Sequence, residues 1–313
     1  MLTAAQPDIR DAFFDEIYAS AAADENLVFI TGDMDAFSLR KFKEDFPTRF
    51  LNAGVAEQNM ISVASGLASC GKRVFVYGIN TFVSMRCFEQ IKINICSMKL
   101  PVVIIGAGAG FSFGHDGPTH HGTQDMAVMR ALPEMEIWNP SDATSAAACA
   151  KIAARTKMPM YIRLDKGKFS AFYEAHENFS NGFKILKPLQ KLNLVSTGFM
   201  TQQAMSAAEE LEKQSLSVGV VDILRIKPLN MEFIKLLAAA GGKIVTLEEH
   251  CLTGGLGSAV SEALSDRGIS LPVKRLAVPD RQFLAYGSRE WFHKTNALDV
   301  PGICAAVQKE AFR

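Results

Sequence analysis

Short apolar or β-branched runs alternate along the chain with stretches in which apolar residues recur every three or four positions. The runs Leu27–Thr31, Arg73–Tyr77, Val102–Ala107 and Met160–Arg163 predict strands, and the spacing between them predicts helices over Asp8–Ala22, Glu57–Cys70, Phe82–Met98 and Asp142–Thr156. Asn139-Pro140-Ser141-Asp142 offers small polar side chains to cap the first free amides of the last helix. Strands alternating with helices imply a parallel sheet covered on both faces. From Lys166 to Leu192 the pattern gives way to a mixed polar and aromatic stretch. It then resumes with strands at Asn193–Thr197, Ser217–Asp222, Lys243–Leu247 and Val273–Ala277, helices at Thr201–Lys213, Asn230–Ala240 and Gly255–Arg267, and a last helix after Pro301. The expectation is an α/β chain of two consecutive doubly wound, mostly parallel-sheet domains, residues 1–185 and 186–313.

A length of 313 residues suits two domains, at roughly 150 residues each. Lys plus Arg equals Asp plus Glu, 33 against 33, so no general field draws nucleic acid or an anionic membrane, and any anionic ligand must be held by a local site. The longest apolar run, Leu100–Phe111, falls short of the ~20 residues that span a bilayer. The N-terminus has no basic stretch followed by an apolar core, so no signal peptide is expected. Cys70, Cys87, Cys96, Cys149, Cys251 and Cys304 stand singly, without a C-x-x-C pair. Buried thiols in a reducing compartment, the cytoplasm, are expected, rather than disulfides or a metal site.

Ligands of parallel sheets gather at the carboxyl ends of strands, and four segments follow strand ends in the first half. Thr31-Gly32-Asp33 lets a polar ligand come close to the backbone, or is an ordinary turn with a helix-capping aspartate. Glu57, opening a helix of small and apolar residues, is either a carboxylate placed for the helix dipole or a partly buried acid of raised pKa that exchanges a proton with a ligand. Phe82, Met85 and Phe88 recur on one helix face, a spacing more usual for core packing than for a cofactor platform. Gly114-His115-Asp116-Gly117-Pro118-Thr119-His120-His121-Gly122 is the strongest signal. Three histidines and an aspartate among glycines suit proton transfer and hydrogen bonding to a polar substrate better than fixed tetrahedral metal geometry.

Taken in order, Gly-Asp, N-x-G-x-A-E-Q at 52–58, Thr81-Phe82 and D-G-P-T-H at 116–120 resemble the pyrimidine-binding domain of transketolases. Ala131-Leu132-Pro133, Asn139–Asp142 and Arg163 continue the match. Leu194–Gly198 and Glu248–Ser258 resemble the family's C-terminal domain. The resemblance implies thiamine diphosphate as cofactor. Glu57 matches the glutamate that hydrogen-bonds N1′ of the aminopyrimidine and controls its tautomer, and Phe82 matches the aromatic residue stacked on that ring. Asp33 and Met85 fall beside the cofactor. Asp116 and His120 match residues that contact sugar hydroxyls and assist proton transfer, with His121 as a further substrate contact and Arg163 as a phosphate clamp.

Gly108 stands where transketolases carry a histidine, which points toward a different ketose donor or acceptor, as in a specialised sugar pathway. Gly32-Asp33 followed by Asn52 superficially suggests the diphosphate and Mg²⁺ motif, but the third glycine is missing and the spacing is short, so it is read as coincidence. The resemblance therefore implies a split enzyme: an N-terminal transketolase subunit holds the diphosphate and Mg²⁺, this chain dimerises, and the whole forms an α2β2 heterotetramer acting on a small sugar substrate. Three alternatives are a pyruvate–aldehyde condensation like that of deoxyxylulose-phosphate synthases, a 2-oxoacid dehydrogenase beta subunit, and a non-catalytic paralogue. Against the first, Met85 stands where that group carries arginine; against the second, that group uses a different histidine segment. The glycine run at Thr253–Ser258 could cradle a phosphate at a helix N-terminus, but is read as a tight strand-to-helix turn.

Overall fold

The computed structural model describes residues 7–311. The strands are β1 (Leu27–Thr31), β2 (Phe50–Asn52), β3 (Arg73–Ile79), β4 (Val102–Ala107), β5 (Glu136–Trp138), β6 (Met160–Leu164), β7 (Phe183–Lys187), β8 (Leu192–Ser196), β9 (Gly219–Ile223), β10 (Arg225–Lys227), β11 (Lys243–Cys251) and β12 (Val273–Val278). The helices are α1 (Ile9–Ala23), α2 (Phe37–Asp45), α3 (Glu57–Ser69), α4 (Asn80–Ser84), α5 (Phe88–Gln90), α6 (Asp125–Arg130), α7 (Ala143–Ala153), α8 (Phe199–Lys213), α9 (Met231–Ala240), α10 (Leu256–Ser265), α11 (Arg289–Thr295) and α12 (Val300–Ala311).

Strands that are apolar at every position need cover on both sides. In β3 and β4, Val74, Val76, Val102 and Ile104 pack in one core with Met60, Ile61 and Ala64 of α3. Phe75, Tyr77, Val103 and Ile105 pack in another with Phe13, Phe14 and Ile17 of α1 and Ala146 and Ala150 of α7. The first sheet runs β10-β5-β6-β4-β3-β1-β2 and the second β12-β11-β8-β9-β7. Both are parallel apart from one antiparallel edge strand each, β10 against β5 and β7 against β9. The expected two α/β sheets are therefore present.

The two units are laced together. β10 follows β9 of the second sheet but pairs into the first, with Arg225 opposite Trp138 and Lys227 opposite Ile137. The boundary expected at residue 185 falls inside β7, a strand of the second sheet.

One long helix is corrected. The segment expected as Phe82–Met98 breaks at Met85–Cys87 and then continues as α5 and a wide π-turn segment, Ile91–Cys96. Side chains bond back to the carbonyls here: Ser84 Oγ donates to Asn80 O at 2.6 Å and Cys87 Sγ to Phe82 O at 3.2 Å. Such back-bonding competes with the helical ladder. The apolar stripe divides accordingly, with Met85 exposed while Phe82 and Phe88 are half-buried. Among the described residues no helix is long and apolar enough to cross a membrane.

Candidate active site

Glu57 is the first residue of α3 and is 4% exposed, beside the carboxyl end of β1. Gly32 lies against it: a Cβ there would make ordinary contact, 3.5 Å from Glu57 Cγ and 3.4 Å from Met60 Cε. Asp33, in the left-handed region at φ 58°, caps no helix. Its backbone N–H donates to Asn52 Oδ1 at 3.1 Å, and Asn52 Nδ2 donates to Asp33 Oδ1 at 3.2 Å. Asp33 and Asn52 line a cleft of about 520 Å³ with Thr31, Asp35, Arg40 and Lys43.

Across from Glu57, α4 presents Phe82. Thr81 Oγ1 donates to Thr119 O at 2.7 Å, tying α4 to the histidine loop. The His120 ring meets Phe82 edge-on, with centroids 5.1 Å apart, and its Nδ1 lies 2.9 Å from Thr119 Oγ1. Asp116 ends a single 3-10 turn, Gly114–Asp116, and is exposed, as is His115. Sequence reasoning missed Arg86. Its guanidinium lies 4.0 Å from the centre of the Phe82 ring and donates to Glu57 Oε2 at 2.7 Å. Arg86 lies in the break after α4, four positions beyond Phe82, where the turn brings its guanidinium back over that ring. The acid, the aromatic face and His120 are thus brought together; Met85 lies at the exposed end of α4.

Two expected substrate contacts lie elsewhere. His121 is 5% exposed, with its ring edge-on to Phe111 at 5.2 Å and Phe292 at 5.0 Å, and burial pushes its pKa below the ordinary value. It is a wedge between the units. Arg163 is 2% exposed, and its Nε and Nη2 donors are used internally. Nε reaches both Asp125 oxygens at 2.9 and 3.1 Å, while Nη2 reaches Gly122 O at 2.6 Å and Glu249 O at 2.9 Å. Asp125 also accepts from Asn80 Nδ2 and Tyr161 OH, each at 2.9 Å. A cation so enclosed, with Nε and Nη2 committed to Asp125, Gly122 and Glu249, ties the histidine loop to the second unit.

The position without a histidine has a steric explanation. Gly108 has φ 89°, and a Cβ there would meet the Phe113 ring at 2.1 Å. Phe113 thus closes over the glycine. The Lys166 ammonium rests 4.1 Å from the same ring, a half-exposed cation at the loop's rim that sequence reasoning also passed over.

In the second unit, the amides that begin α10 are already bonded. Leu256 N and Gly257 N donate to the Glu248 carboxylate at 2.6 and 2.8 Å. Burial pushes Glu248 up to about 7 against those two amides. A Cβ on Gly255 would fall 1.8 Å from Glu248 Oε2, so the glycine run is the tight turn expected, with no room for a phosphate.

Comparison with known proteins gives two family matches. Residues 5–170 match "Transketolase, pyrimidine binding domain" and residues 182–303 match "Transketolase, C-terminal domain". The chain is 33% identical over 298 residues to a subunit of the apulose-4-phosphate transketolase of Phocaeicola vulgatus, covering 94% of this chain and 95% of that protein. It is 34% identical over 301 residues to 1-deoxy-D-xylulose-5-phosphate synthase 1 of Geobacter sulfurreducens, covering 95% of this chain but 47% of that protein. A solved structure described as "Split gene transketolase, inactive beta4 tetramer" superposes with a TM-score of 0.87 at 33% identity, covering 97% of this chain and 98% of that one.

Proposed function

The chain belongs to the transketolase family, and from that premise we propose that it is one half of a thiamine-diphosphate-dependent enzyme that moves a two-carbon ketol unit between sugars or sugar phosphates. A separate subunit would hold the diphosphate and Mg²⁺, in an α2β2 assembly built on a dimer of this chain. Two relatives support the split: one is named as a subunit, the other as a split-gene transketolase, and each is matched over nearly its whole length. All six cysteines are free and Cys87, Cys96, Cys149 and Cys304 are buried, which supports a reducing, cytoplasmic setting.

One observation carries the reading. A flat nitrogenous cation already lies on the Phe82 ring and bonds to Glu57, so the site accepts a group with the shape and polarity of an aminopyrimidine edge. When bound, the cofactor supplies a carbon nucleophile that no side chain provides. Glu57 would hold the proton at N1′ from the first turn of α3, and Phe82 would fix the plane of the ring. His120, braced by Thr119, and the exposed Asp116 would orient hydroxyls and move a proton at the ketose carbons. With Arg163 enclosed, we assign any contact with an anionic substituent to Lys166. Phe113 over Gly108 narrows the position where a histidine would reach a hydroxyl, which supports a non-standard donor or acceptor.

The test combines this chain with a diphosphate-binding subunit, thiamine diphosphate, Mg²⁺ and a ketose donor. Glu57→Gln is expected to lower turnover by about 100-fold or more while circular dichroism and melting temperature hold; undiminished turnover defeats the reading. A second reading, pyruvate–aldehyde condensation, gains from Arg86. The charge that Met85 lacks arrives one residue later on the Phe82 face, so Met85 does not count against that chemistry. Carbon dioxide release from pyruvate separates the two reactions.

A further inference from the structure

Arg86 has no task in the reading above, yet it touches both groups on which that reading depends. Its side chain is 42% exposed while that of Glu57 is 5% exposed, so a surface cation is laid across the small open part of a buried acid. Backbone and side chain are held differently. Gln58 Nε2 fixes the Arg86 carbonyl at 3.1 Å, whereas among the described residues the guanidinium is held by Glu57 and by the ring.

A guanidinium is planar, edged with N–H donors, and stacks on aromatic faces. An aminopyrimidine that stacks on Phe82 and shares a proton with Glu57 needs the same two points of contact, and Glu57 is too enclosed to serve two planar partners at once. We propose that Arg86 is a displaceable occupant of the aminopyrimidine site. In the free chain it satisfies Glu57 and covers Phe82; it swings outward when the ring enters. The proposal rests on the functional reading above and adds a competition within the chain. The apparent affinity for the ring is scaled down by the fraction of chains in which Arg86 stands open.

The full chain is titrated with 4-amino-5-hydroxymethyl-2-methylpyrimidine at up to millimolar concentration, followed by ligand-observed NMR. Arg86→Ala is expected to bind about tenfold more tightly than wild type, the factor that follows when about one chain in ten is open. Phe82→Ala and Glu57→Gln weaken binding. Because Arg86→Ala leaves Glu57 buried without its partner, Arg86→Lys serves as the second variant. Its ammonium still pairs with Glu57 but leaves the ring uncovered, and about two- to threefold tightening is expected. In wild type, the Arg86 Nε–H resonance loses the ring-current shift it takes from Phe82 as the probe saturates. Unchanged or weaker binding in the folded Arg86 variants, or an unmoved Nε–H resonance, overturns the proposal while Glu57- and Phe82-dependent binding leaves the function standing. Absence of binding in every variant, or binding indifferent to Glu57 and Phe82, defeats the functional reading itself.

Discussion

Gly108 and Phe113 behave as one unit at the residue scale. The glycine takes a left-handed backbone, and its missing Cβ is the space the Phe113 ring occupies. Gly108→Ala is expected to destabilise the chain by about 1–3 kcal/mol from the backbone conformation alone, with the ring clash added, as a fall in the denaturation midpoint. Gly108→His, which restores the family's usual residue, is expected to destabilise at least as much. Lys166→Ala should raise KM for an anionic acceptor by about tenfold with kcat little changed, and leave a neutral acceptor unaffected; equal effects on both would remove Lys166 from the substrate. Residue type and order along the chain pointed to Glu57, Phe82 and His120, which the structure brings together, and to Asp116, which it leaves on an exposed turn. They said nothing of burial, which is why Arg163 and His121 read as substrate contacts although both lie inside the protein. Arg86 escaped because its acidic partner is 29 positions away in sequence.

Elements are legible where a whole strand is buried. β1 and β4 coincide with their predicted limits because each is mostly apolar and buried at every position. The short strands β2, β5 and β10, three residues each, carry too few positions for a period to show. Helix starts were readable from capping chemistry. Asp142 accepts from Ser145 N at 2.7 Å in a reciprocal capping box, an arrangement worth about 1 kcal/mol. A prediction at this scale concerns Asp222 of β9, which accepts hydrogen bonds from Ser141, Tyr173 at 2.6 Å and Thr201 at 2.8 Å. Burial nevertheless pushes it up to about 7. A carboxyl raised in the folded state binds its proton more tightly there than when unfolded. Its stabilisation is therefore complete below the unfolded value of about 3.9 and is lost as pH rises through about 7. Denaturant midpoints of the wild type should fall from pH 5 to pH 8, and Asp222→Asn should flatten that slope; an unaltered slope would assign the titration to another group, such as Glu248.

Across the whole molecule, a largely enclosed arginine, its side chain 12% exposed, joins the two units. Arg289 of α11 donates to Asp165, just past β6, at 3.1 and 2.6 Å, and its Nε lies 3.0 and 3.1 Å from the Glu249 oxygens of β11. It also stacks 3.8 Å from the Phe199 ring centre. His293 Nε2 completes the cluster at 2.7 Å from Glu249. Although burial opposes its charge, Arg289 and His293 hold the Glu249 carboxyl well below the usual range. Removing one partner strands the others, so Arg289→Ala is expected to cost about 3–5 kcal/mol, read from urea denaturation as a lower midpoint. Two separated transitions in that variant would show that the arginine couples the units; a single transition at the wild-type midpoint would deny it any such part.

The strand that crosses from one sheet to the other has a consequence for descent. Because β10 hooks onto β5, a breakpoint between the units that carried one of them away alone would leave the first sheet with a bare rim and the hook with nothing to grip. The two halves of this chain are thus not exchangeable cassettes. A lineage that borrows one without a counterpart for the other inherits an open sheet, so viable gene fusions or fissions are to be sought at the ends of the pair rather than between its members.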